Sequence, residues 1–149
     1  LAKVEKDLAV LPMFRDELAV IVPARHPLAG HSAVTIEQVA EHSLIFPRTG
    51  RTRALLEQVF ANRGLEPRVS LELASVEAIK KFVAVGLGIS LIGRSFAAQE
   101  VAQGLVRLIP LEGLKLVREL GLIYHQDKYI CPVMGAFLNL VRELFRSHE

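Results

Sequence analysis

The sequence has no tryptophan and one cysteine, and aromatic residues fill only 6% of its 149 positions. A lone cysteine, Cys131, cannot close an intrachain disulfide. That excludes a disulfide-stapled secreted scaffold and points to a cytoplasmic compartment. No block of Lys or Arg occurs, and 18 basic residues stand against 16 acidic ones for a net charge of +2. The isoelectric point of 8.9 looks basic, but so small an imbalance gives no electrostatic footprint for nucleic acid. The uncharged stretch Phe82–Gly93 is too short to span a bilayer and carries three glycines. Internal repeats, low-complexity tracts and a signal-peptide pattern are missing too. The chain starts at Leu1 rather than Met, which reads as the loss of something upstream.

What is present is aliphatic. Hydrophobic residues make up 51% and charged residues 23%, and mean hydropathy is +0.34. This composition excludes disorder and suits a sheet buried under helices, in one domain or one domain of two lobes. Leu18–Val22, Leu44–Phe46 and Ile89–Ile92 are short continuous apolar runs, the pattern of strands covered on both faces. Val69, Leu71 and Leu73 alternate with Ser70, Glu72 and Ala74, a half-buried strand. Leu105–Leu111 and Leu120–Tyr124 complete six strand-like segments. Helical spacing appears after Thr35, across Leu55, Leu56, Val59 and Phe60, after Ser75, from about Ser95 to Gln103, and after Pro132. The alternation predicts an α/β fold with a mostly parallel sheet flanked by helices.

Catalytic patterns fail one by one. Gly86 and Gly88 lack the third glycine of a dinucleotide loop and lead from a helix into a strand, the wrong order. They read as a helix end and a tight turn. Ser90 lies one glycine short of a nucleophile elbow, because Ile92 stands where the turn is needed. His26, His31, His42, His125 and His148 show no i,i+4 pair, and Cys131 has no cysteine neighbour, so no metal site is expected. No acid pair is singled out. The chain therefore reads as a non-enzyme with no cofactor.

The segment Phe46-Pro47-Arg48-Thr49-Gly50-Arg51-Thr52-Arg53 is the most informative. It joins a buried strand to a helix start, where backbone N–H groups are unpaired and partly positive. Gly50 allows close approach and three arginines surround Thr49, so the loop can bind an anion. Equally, Thr49 can simply cap the helix while the arginines stay solvated. Ser75 occupies a similar strand-to-helix position. Two such loops at the carboxyl ends of parallel strands can line one crevice.

In order, the segments resemble the effector-binding domain of LysR-type transcriptional regulators. The resemblance rests on Asp16–Pro23, His26-Pro27-Leu28-Ala29, Thr35–Ala40 with Leu44–Phe46, Phe60–Pro67, Ser75–Ile79 running into Val83–Ile89, and Pro132–Leu140. It implies a lobe like that of type 2 periplasmic binding proteins. Residues 17–125 would form the second lobe, and 1–16 with 126–149 would be remnants of the first. The N-terminal DNA-binding helix-turn-helix would lie outside this chain. By the same resemblance a small, anionic effector binds in an interlobe cleft. Phe46, Pro47, Arg48, Thr49, Gly50, Ser75 and Val76 would supply this lobe's wall. Arg51, Leu55, Gln58, Asn62, Val69, Leu71 and Leu73 would contribute to a dimer interface. The expected function is a ligand-sensing domain of a cytoplasmic regulator that reaches DNA only through its missing N-terminal part. The alternative is a solute-binding protein serving a transporter. Part of the apolar excess is expected on surfaces that a missing lobe or a partner copy would cover.

Overall fold

Strand β1 (Leu8–Pro23) is 16 residues long and serves two separate regions of the chain. The computed structural model describes residues 7–145. Contacts divide the chain into Glu17–Leu116 and a second unit combining Leu1–Asp16 with Val117–Glu149. The expected boundary put 117–125 with the larger unit. Strand β6 (Val117–His125) pairs with β1 and groups with the second unit instead.

Within Glu17–Leu116 the remaining strands are β2 (Leu44–Pro47), β3 (Val69–Leu73), β4 (Ser90–Gly93) and β5 (Val106–Ile109). β3 pairs parallel with β2. β2 meets the lead-in to β4 through the parallel bridge Leu44↔Ile89. β4 and β5 flank β1, both antiparallel. The sheet order is thus β3-β2-β4-β1-β5, and β1 alone runs against its neighbours. The expected mostly parallel sheet holds only in part. Apolar periodicity does not encode direction, and the long connections between these strands allow a return either way.

Helices α1 (Ile36–Ala40), α2 (Arg51–Asn62) and α3 (Val76–Ala84) cover both faces. Alternate strand residues feed opposite cores. Val20, Leu44, Phe46 and Leu91 join α1 and α2 in one core. Ile21, Ile45 and Ile92 join Ile79 and Val83 of α3 in the other. Burial on both faces is why these strands read as unbroken apolar runs. Thr35 closes a capping box with Gln38 at the start of α1. Gly88 passes so close to β2 that a Cβ there would lie 2.9 Å from the Ser43 carbonyl oxygen. The glycines read as turn residues are thus structural. Ser90 is fully buried and its hydroxyl donates to the Ile45 carbonyl at 2.6 Å.

The short helix α4 (Ala98–Ala102) follows a 3₁₀ turn and completes this unit. Lys80 of α3 donates to the Phe96 carbonyl and to Glu77 and Glu100, each at 2.8 Å.

In the second unit, Arg118 of β6 pairs with the buried Asp16 of β1 at 2.8 Å. Helix α5 (Pro132–Phe145) buries Leu138 and Val141, and Phe145 stacks on Phe14 with centroids 5.7 Å apart. The opposite side of α5 exposes Val133, Phe137, Leu140 and Leu144. Their i, i+4, i+7, i+11 spacing makes a continuous apolar stripe.

Candidate functional site

Because β2 and β3 are parallel neighbours, the loops that follow them leave the same edge of the sheet. Arg48 N–H donates to the Leu73 carbonyl at 2.9 Å and continues the pairing to that edge. α2 departs over one face and α3 over the other. Arg48, Thr49, Gly50 and Ser75 are exposed there, and Pro47 and Val76 are half-buried. Six of the seven residues assigned to the effector wall therefore reach one accessible edge.

Phe46 does not. Its side chain is fully buried, 6.0 Å from the Phe60 ring. The ring packs in the core beneath the loop rather than on its exposed edge. The expected cap also moves by one residue. Gly50, not Thr49, is the N-cap of α2, at φ 96°, ψ −179°, with no side-chain hydrogen bond. Glycine adopts this backbone without a Cβ penalty. The first N–H groups of α2 have no side-chain cap. In contrast, the Ser75 hydroxyl accepts from Ala78 N–H and caps α3.

The three arginines separate in role. Arg48 and Arg51 are exposed, and neither makes an ion pair among the described residues. Arg53 makes three hydrogen bonds through Nε and Nη1. It donates to Glu57 at 2.7 Å, to Glu72 at 2.6 Å and to the Pro47 carbonyl at 3.2 Å. Its guanidinium carbon also stands 5.9 Å from the centroid of the Phe46 ring. Sequence reasoning missed this. The i,i+4 spacing of Arg53 and Glu57 was the available signal.

The residues assigned to a dimer interface fall in two groups. Arg51, Gln58 and Asn62 are exposed on α2, and Leu55 is half-buried beside them. Val69, Leu71 and Leu73 turn inward. A register shift between Leu44 and Ile45 places Val69 against the α2 core and Leu71 and Leu73 against the α3 core. One extra residue in a strand turns the side chains beyond it to the other face. These three side chains therefore do not form one common surface.

The fold also joins His26 and His42, whose rings meet edge-on at 4.7 Å. His26 Nδ1 accepts from Leu28 N–H at 3.2 Å. Burial first, and the neighbouring His42 second, hold the His26 pKa below its ordinary value of 6.5. The unfolded chain then takes up a proton more readily than the folded one. Stability is full above pH 6.5 and declines as pH falls toward the lower, folded-state value. His26→Gln is expected to flatten this decline. Urea midpoints at about pH 7.5 and about pH 5.5 measure it, and an unchanged slope would remove His26 from the effect. Among the described residues no cluster of three metal-ligating side chains occurs, and no helix is long and apolar enough to cross a membrane.

The chain matches the family described as LysR substrate binding domain over residues 2–146. It is 32% identical to the RuBisCO operon transcriptional regulator of Allochromatium vinosum over 88% of this chain and 44% of that protein. It is 28% identical to a probable RuBisCO transcriptional regulator of Synechocystis over 99% of this chain, again 44% of the relative. The chain thus spans under half the length of these relatives, both of which are named as transcriptional regulators. Among solved structures, the effector-binding domain of QuiR in complex with shikimate superposes with a TM-score of 0.84 at 26% identity. That match covers 99% of this chain and 70% of the other. The Synechocystis CcmR regulatory domain in complex with 2-PG also gives 0.84, at 28% identity, over 96% and 70% of the two chains. The family match and the superpositions agree: the chain belongs to the LysR substrate-binding domain family and has its α/β, type 2 periplasmic-binding-protein-like fold.

Proposed function

We propose that this chain is the ligand-sensing part of a cytoplasmic LysR-type transcription regulator, and that the edge formed by Pro47–Gly50 and Ser75–Val76 is one wall of its effector site. The observation that carries this reading is the shared edge itself. Two strand-to-helix loops open side by side, with exposed hydroxyls on Thr49 and Ser75 and no side-chain cap on α2. Arg48 and Arg51 beside an open helix N-terminus favour an anion, such as a carboxylate. The mechanism is a population shift: the effector favours one arrangement of the parent protein, which its DNA-binding part reads. We also place the dimer contact on the outer face of α2 and the free edge of β3. The apolar stripe on α5 is then a surface covered in the whole protein.

Shikimate and 2-PG, named for two similar domains, are the first probes. A bound effector at about 100 times its Kd should stabilise the intact parent protein by about 2.7 kcal/mol. Thr49→Leu with Ser75→Leu should abolish that gain. Ser75→Leu also removes a cap worth about 1 kcal/mol, so the ligand-dependent rise in Tm is the readout, not the basal Tm. An undiminished rise in the double variant would sink the site assignment.

A further inference from the structure

Arg53 reaches both sides of the proposed effector wall. Its Nη1 holds the Pro47 carbonyl, the last residue of β2 before the exposed loop. The same nitrogen holds Glu72, three residues before Ser75 on β3. Its Nε holds Glu57, one turn along α2. Phe46 lies beneath the guanidinium. Glu72 pairs with Phe46 in the register of the two strands, which brings it under α2. One planar cation thus connects the start of α2, the end of β2 and the end of β3.

A guanidinium presents five donors in a fixed fork, so a single side chain can fix three acceptors at once. We propose that Arg53 is a positioning residue: it latches the two strand-to-helix loops in register with each other and is withheld from the effector. This rests on the reading of those loops as the effector wall. Its consequence is specific. The anion-binding charge at this edge comes from Arg48, Arg51 and backbone N–H groups, while Arg53 sets how far apart the two loops stand.

Amide hydrogen exchange on the full chain tests the latch without any ligand. The reporter is the Arg48 amide, bonded to the Leu73 carbonyl between the two strand ends. The Val34 amide, bonded to the Pro110 carbonyl, is the reference. Arg53→Met keeps the methylene stem and removes the fork. It should speed exchange at Arg48 about tenfold, the effect of losing a charge-assisted tie, and leave Val34 unchanged. Arg53→Lys, a point donor, should recover only part of the protection. Glu57→Gln should leave Arg48 close to wild type, because the ties to Pro47 and Glu72 remain. Equal acceleration at Arg48 and Val34, or none at Arg48, would overturn the latch, as would Glu57→Gln matching Arg53→Met. The effector titration addresses the site itself, so failure of one reading is not mistaken for failure of the other.

Discussion

Phe46→Ala is expected to destabilise the protein by about 4 kcal/mol. The ring is fully buried in the core between the sheet and α2, against Phe60 and under Arg53. Removing it deletes apolar burial and leaves a cavity that α2 cannot close, because its inner residues Leu56, Val59 and Phe60 are held by the same core. Native domains are stable by only about 5–15 kcal/mol, so the variant should unfold at a much lower denaturant concentration. Phe46→Leu keeps most of the volume and should cost about 1.5 kcal/mol. The comparison separates anchor from ligand contact. An anchor shows a graded loss of stability from Leu to Ala in the absence of effector. A ligand contact shows normal unfolding midpoints and weakened binding in both. Wild-type midpoints for Phe46→Ala would take the ring out of the core.

The inward turn of the Phe46 side chain was not legible, for a physical reason. Chain order shows which residues end a strand but not which face their side chains take. β2 alternates regularly, Leu44 and Phe46 toward one core and Ile45 toward the other, and an apolar run buried on both faces does not tell which core takes which residue. On β3 the register shift opposite Leu44 and Ile45 sent Val69 to one core and Leu71 and Leu73 to the other, and it leaves no trace in local periodicity. Strands with unbroken apolar runs were legible, because burial on both faces demands them. The first half of β1 was not. Its charges Arg15, Asp16 and Glu17 interrupt the apolar pattern and look solvated. Arg15 and Asp16 pair with Glu119 and Arg118 across about a hundred residues of chain. The two strand-to-helix joints were legible because glycine, serine and threonine favour helix N-termini, and Gly50 and Ser75 are the N-caps of α2 and α3. The role of Arg53 was not, since its tie to Glu72 exists only once β2 and β3 pair.

Lys80→Met should cost about 2–3 kcal/mol, through the partner it abandons more than through its own contacts. The Lys80 side chain is 7% exposed and Glu100 19%. Glu100 Oε2 is already buried without a hydrogen bond among the described residues. Burial alone would push the Lys80 pKa down; its hydrogen bonds to Glu100 and Glu77 outweigh that and hold it above the ordinary lysine value. Lys80 in turn is the main reason the Glu100 carboxyl sits below its usual range. The methionine would leave Glu100 charged, poorly hydrated and unpaired, and would free the Phe96 carbonyl. Glu77, two-thirds exposed, returns to water at little cost, which keeps the loss at the low end for a buried pair. Two further measurements fix the cause. Lys80→Met with Glu100→Leu should recover most of the stability, since a matched apolar pair leaves no charge behind. The folded-state Glu100 pKa is lowered, so its contribution is present above about pH 4.5 and lost as pH falls through the folded value. The wild type should lose stability in that acid range, and the double variant should lose less. A double variant no more stable than Lys80→Met would show that the stem of Lys80, not its charge, holds α3 to the turn before α4.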